Sequence, residues 1–177
     1  RIDHWKATSA VVHRQEGWQA AADFAALGKA VPESLTAMIH QNLETLNPEE
    51  QMLLEAASVA GREFVAGVLA SGLGLTEEET ELRCAALARQ GTFIREAGVF
   101  EWPGGRRSSQ FRFIHPLYLE VVYGRLPAVR QSRLHRLIGV ELEKAYGAEA
   151  HASANRLARH FQYGGDRPRA IHYYRLA

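Results

Sequence analysis

Between Thr92 and Ile114 the spacing of apolar residues changes from threes and fours to twos, and this change limits what the chain can become. Thr92-Phe-Ile-Arg-Glu96, Val99-Phe-Glu-Trp102 and Gln110-Phe-Arg-Phe-Ile114 alternate as strands do, whereas the stretches on either side follow the helical period. Gly98 marks a turn, and Pro103-Gly-Gly105 breaks the run beside Arg106 and Arg107. A small hairpin set among helices is therefore expected. The last strand runs into His115-Pro116 and then into the apolar segment Leu117 to Tyr123. A residue before proline is pushed to extended geometry, and proline suits the first position of a helix. His115 is thus predicted at the N-cap and Pro116 at the first helical position, a place where exposed N–H groups and the helix dipole favour anions.

The flanking helices can be read individually. Glu33-Ser34 after Pro32 opens one with Leu35, Met38, Ile39, Leu43 and Leu46 at helical spacing. Asn47 caps a second, with Pro48 first, Glu49 and Glu50 in the first turn, Met52, Leu53, Ala56, Ala57 and Ala60 along one side, and Gly61 at its end. Phe64, Val65, Val68 and Leu69 read as a shorter helix, broken at Gly72-Leu-Gly74. Thr76 followed by Glu77, Glu78 and Glu79 starts the next, with Leu82, Ala85, Ala86 and Leu87 as its apolar face and Gly91 as its stop. Helices followed by a hairpin make a winged helix. After His115 the pattern is helical through Tyr123, and Pro127 starts a long helix to about Tyr146 with Leu134, Leu137, Ile138 and Leu142 inward. Two more helices, roughly 150–163 and 167–177, flank Gly164-Gly-Asp166. The fold class is mainly α: a winged-helix domain over 31–146, then a helical hairpin over 147–177. Residues 1–30 read as a connector, with Ala10-Val-Val-His13 and Gly17-Trp-Gln19 as short strands around Arg14-Gln-Glu16.

From Ala154 onward the chain resembles a tetratricopeptide repeat, a helix hairpin in which small residues let two helices approach and aromatic residues fill the gap. Leu157, Ala158, Phe161, Gly165, Ala170, Tyr174 and Ala177 fall in that register, and Ala154 stands where the repeat usually has tryptophan. A larger resemblance rests on Val31-Pro-Glu-Ser-Leu35, the run from Leu46-Asn-Pro-Glu-Glu50 to Gly61-Arg-Glu-Phe64, Phe111 to Tyr123, and Arg133-Leu-His-Arg-Leu-Ile-Gly139. These segments are similar to the part that follows the ATPase core in bacterial signalling ATPases of the STAND class, found in large transcriptional regulators. The resemblance implies a regulatory segment whose winged helix packs on an upstream nucleotide-binding domain and continues into downstream repeats. It also implies that His115 senses nucleotide phosphate, as the histidine of the Met-His-Asp motif does in related ATPases. Here Pro116 replaces the aspartate. ATP or ADP is then the cofactor of the parent protein, and none is expected for these residues alone, which lack the Gly-x-x-x-x-Gly-Lys-Ser/Thr loop. Arg1 in place of methionine and a helical pattern still running at Ala177 lead us to expect a longer protein on both sides.

Other chemistry finds little footing in the sequence. With 21 basic against 20 acidic residues the net charge is +1, so no global field draws the chain to nucleic acid or an acidic membrane. The end of a recognition helix that would meet DNA is Thr76-Glu-Glu-Glu-Thr-Glu81, whose carboxylates repel a polyanion. Arg130, Arg133 and Arg136 read as a solvated face. His4, His13, His40, His135, His151, His160 and His172 show no metal-ligand spacing, so no metal site is assigned. Cys84, the sole cysteine, excludes an internal disulfide framework and reads as a small core residue. Ser108 and Ser109 read as wing-loop residues without the elbow of a serine hydrolase, and no catalytic residue is assigned. For His115 the plain alternative is a capping histidine satisfied by backbone. The expectation is a non-enzymatic, cytoplasmic module. A winged-helix DNA-binding regulator and a repeat scaffold that binds a protein or peptide are the alternatives.

Overall fold

The computed structural model describes residues 11–14, 17–20 and 33–177. The rest of the connector expected over 1–30, including Gln15 and Glu16 of its expected turn, lies outside them. The chain divides into two compact units, 1–41 and 42–177. In the first, β1 (Val11–Arg14) and β2 (Gly17–Ala20) form an antiparallel pair, close to the two strands expected there. Helix α1 (Glu33–Glu44) begins in the first unit and ends in the second. Of its expected apolar stripe, Ile39 and Leu43 are buried, as is Leu46 beyond its end, while Leu35 and Met38 are exposed.

The second unit is mainly helical with one small sheet. Asn47 caps α2 (Pro48–Ala60) through a reciprocal box with Glu50, the N-cap side chain accepting from the Glu50 N–H at 2.9 Å. Of its expected inward side Leu53, Ala56, Ala57 and Ala60 are buried and Met52 is exposed, and the buried face widens to take in Leu54, Ser58 and Val59. The chain then forms β3 (Glu63–Val65) and α3 (Ala66–Leu73). The expected helix from Phe64 is thus corrected: Phe64 and Val65 are strand residues paired with Phe111 and Gln110, and the helix starts only at Ala66. Helix α4 (Glu77–Gln90) opens on a Thr76–Glu79 capping box and ends at Gly91, whose φ of 68° suits a residue without Cβ. Its buried residues are Thr80, Cys84 and Leu87, whereas the expected Leu82 is exposed. Thr80 tolerates burial because its hydroxyl donates to the Thr76 carbonyl at 2.8 Å.

Strands β4 (Ile94–Glu101) and β5 (Arg107–Phe113) form the expected hairpin, but Gly98 makes no turn: the two strands expected around it are one, with a bulge between Glu96 and Gly98, and the sheet order is β3-β5-β4, antiparallel throughout. Phe64, Phe111 and Phe113 are all buried, with Phe64 centred 6.1 Å from Phe111 and 5.9 Å from Phe113. Helix α5 (Pro116–Arg125) follows, then the long α6 (Ala128–Tyr146). A 3-10 turn (Gly147–Ser153) replaces the first turn expected of the next helix, so α7 (Ala154–Tyr163) begins later than the sequence suggests. The turn at Gly164-Gly-Asp166 leads to α8 (Arg167–Leu176).

Two glycines set how closely α6 and α7 approach. A Cβ on Gly139 would lie 3.1 Å from the His160 Cβ, and one on Gly164 would lie 2.9 Å from the Arg136 backbone. On the other side of α7, Phe161 stacks on Tyr173 of α8 at 5.7 Å. Phe161 and Tyr173 are buried, but Tyr163 and Tyr174 are exposed, so of the two aromatic residues placed in the repeat register only Phe161 lies inside.

Candidate functional site

At the end of β5 the chain turns as expected: His115 has extended geometry (φ −135°, ψ 141°) and caps α5 with Pro116 at its first position. The cap is made by the ring itself. His115 Nδ1 accepts the Leu117 N–H at 3.1 Å, and the next N–H, that of Tyr118, bonds to the His115 carbonyl at 3.1 Å. Pro116 has no N–H. The entrance is therefore self-capped, and the open row of donors expected there is corrected: the first backbone donors already have partners. A neutral ring that accepts at Nδ1 carries its proton on Nε2, so the exposed His115 presents one N–H outward.

A cavity of about 860 Å3 lies in the second unit between the end of α2 and helices α5, α6 and α7. Leu119 and Tyr123, one and two turns along α5 from His115, line it, but His115 does not. Its inner wall holds His135 from α6 and His160 from α7, only 5% and 4% exposed. Their Nδ1 atoms are 3.1 Å apart, and His135 Nε2 is 3.0 Å from Tyr123 Oη. With Tyr123 assigned as donor to His135, and His135 Nδ1–H to His160, both ring nitrogens of His135 are satisfied and His160 keeps its proton on Nε2. Tyr163 stacks on His135 at 5.1 Å. Burial drives the His135 pKa down to about 4, with Arg159 adding repulsion. Burial also takes His160 to about 3, helped by His135 and then by Arg156 and Arg159. Both rings are neutral at pH 7.

The sequence reading passed over these two histidines because they are 25 residues apart and lack ligand spacing. A fainter signal was present: His135 shares the inward stripe of Ile138 and Leu142, and His160 that of Leu157. The close approach at Gly139 and Gly164 then brings the rings together. No three His, Cys, Asp or Glu side chains converge on a metal-sized site among the described residues. Cys84 is fully buried, and burial, followed by the nearby Glu81 charge, raises its thiol to about 12, which leaves it unreactive.

The acidic start of α4 is occupied by the protein itself. Ser108 Oγ donates to Glu77 at 2.6 Å and accepts from Trp102 Nε1 at 3.0 Å, while Arg106 reaches Glu77 at 3.3 Å and lies over Trp102. Ser109 donates to Glu81. Ser108 and Ser109 belong to β5 rather than to a loop, and they hold the hairpin onto α4. The arginines expected as a solvated row, Arg130, Arg133 and Arg136, are all exposed, and Arg130 in addition pairs with Glu55 of α2 at 2.6 Å. Among the described residues no helix is long and apolar enough to cross a membrane. No family model, curated protein or solved structure matches the chain.

Proposed function

We propose that this chain is a non-catalytic regulatory segment of a STAND-type ATPase: a winged helix that packs on a nucleotide-binding domain and passes its state through α6 to helical repeats. The order of elements from Pro48 to Phe113, helix, strand, two helices, two strands, supports the winged-helix part of this reading. The observation that carries the functional part is the outward Nε2–H of His115, on a ring whose other nitrogen is fixed by the Leu117 N–H. A ring so held offers its other nitrogen as a donor at a strand-to-helix junction, suited to meet one phosphate oxygen of a nucleotide on a neighbouring domain.

ADP titration calorimetry on a longer chain that includes the nucleotide domain tests this. A hydrogen bond to a charged group is worth about 1.5–3 kcal/mol, so His115→Ala should weaken ADP roughly tenfold or more. His115→Asn, which can still cap α5, should lose the same affinity while keeping stability. Unchanged ADP affinity in both variants would rule the reading out.

The DNA-binding alternative is disfavoured by the same geometry that fills the start of α4. Glu77 and Glu81 bind the wing, and Glu78 and Glu79 remain beside them to repel phosphates. The scaffold alternative draws on Ile171 and Tyr174, both about half exposed and three residues apart on α8. A peptide partner that protects these two side chains, with no dependence on nucleotide, would favour it.

A further inference from the structure

The cavity beside the histidine pair holds positive charge that the protein's own acids do not answer. Arg62 follows the end of α2, and Arg156 and Arg159 stand three apart on α7, neighbours on one face. Among the described residues none of the three has a carboxylate within 4.0 Å. The acid on the same wall, Glu63, lies 3.9 Å from Arg112. Arg156 is the most enclosed. It donates one hydrogen bond, to the Ala60 carbonyl at 3.2 Å, and burial lowers its pKa. A guanidinium has five N–H donors, and withdrawing it from water without a counter-charge is unfavourable. Arg62 and Arg159 are exposed at the mouth of the same cavity.

Donor number and volume both bear on the ligand. Three guanidinium forks offer more donors than the two oxygens of a carboxylate can accept, whereas phosphate oxygens match forks of this kind. A volume of about 860 Å3 is in the range that holds a small organic molecule. The apolar part of the wall, with Leu119 and the rings of Tyr123 and Tyr163, suits a body attached to the anionic end. We propose that this cavity binds a small phosphorylated compound, with its phosphate held by Arg62, Arg156 and Arg159 and its body against Leu119 and the two tyrosines. The site goes beyond the regulatory reading and does not rest on it, since His115 is not part of its wall.

Calorimetric titration of the 177-residue chain with inorganic pyrophosphate, and separately with a nucleoside diphosphate, at fixed ionic strength tests the proposal. Saturable binding is expected, weakened at least tenfold by Arg62→Gln and by Arg159→Gln, both exposed positions whose loss leaves the fold intact. Arg95→Gln, the same charge change on the exposed side of β4, should leave affinity unchanged. Tighter binding of the nucleoside diphosphate than of pyrophosphate identifies an organic phosphate, and equal binding identifies the phosphate group alone. His115→Ala should leave both affinities as they were. No saturable binding of either probe at millimolar concentration, equal weakening by Arg95→Gln, or loss of binding in His115→Ala would overturn the assignment.

Discussion

His135 and His160 are held neutral by their surroundings, and that makes them a source of acid sensitivity. In the unfolded chain each takes a proton near the ordinary pKa of about 6.5, whereas in the folded protein uptake waits until about 4 and about 3. As pH falls through this window the unfolded state binds more protons, so stability declines from about pH 6.5 downward and is constant with respect to these groups above it. Each ring accounts for about 3 kcal/mol of this, so urea denaturation at a series of pH values should show a loss on the order of 6 kcal/mol between pH 7 and pH 4. His160→Leu should flatten that slope. The partners, Tyr123 on one side and Arg156 and Arg159 on the other, lie on different helices, and no local spacing announces such a meeting. His115 was legible because its environment is local: a strand before it, a proline after it, and a cap made with the residue two positions on.

At the scale of elements, the same device joins two pairs of helices. Gln51, in the first turns of α2, donates through Nε2 to the carbonyls of Leu43 and Leu46 at 3.0 and 2.9 Å. Gln131, in the first turns of α6, donates in the same way to Tyr123 and Leu126 at 3.1 and 3.0 Å. Each amide closes the end of the preceding helix, whose last carbonyls otherwise lack partners. Gln131→Leu should therefore lower stability by about 1–2 kcal/mol in a thermal or urea melt, and hydrogen exchange at the end of α5 should quicken. Helix boundaries of this kind could be read from Asn47, Thr76, Gly61 and Gly91, because caps are short-range chemistry. Strand β3 could not. Three residues carry too little alternation, and only pairing with Phe111, far along the chain, draws Phe64 out of the helical pattern. The inward face of α4 was likewise set by what packs against it, which is why Thr80 and Cys84 are inside while Leu82 faces out, whereas on α2 packing widened the expected face to take in Leu54 and left only Met52 outside.

Across the whole second unit, the hairpin is tied down by Glu77, which serves Ser108 and Arg106 together and whose carboxylate fills the space above Gly67 on α3. Glu77→Ala should cost about 1–2 kcal/mol, leave the Ser108 hydroxyl and Arg106 short of a partner, and raise hydrogen exchange in β4 and β5 before the rest of the unit. If exchange there kept pace with the core, the tie would be decorative. The same hairpin reaches the far end of the long helix, since Trp102 packs edge-on against Tyr146 at 5.4 Å. Helix α6 is also gripped near its start by the Arg130–Glu55 pair and at mid-length where Gly139 admits α7. A rod clamped at three stations cannot shed torque by fraying at a loose tip. The β4–β5 hairpin, α2 and α7 thus hold α6 at its end, near its start and at its middle.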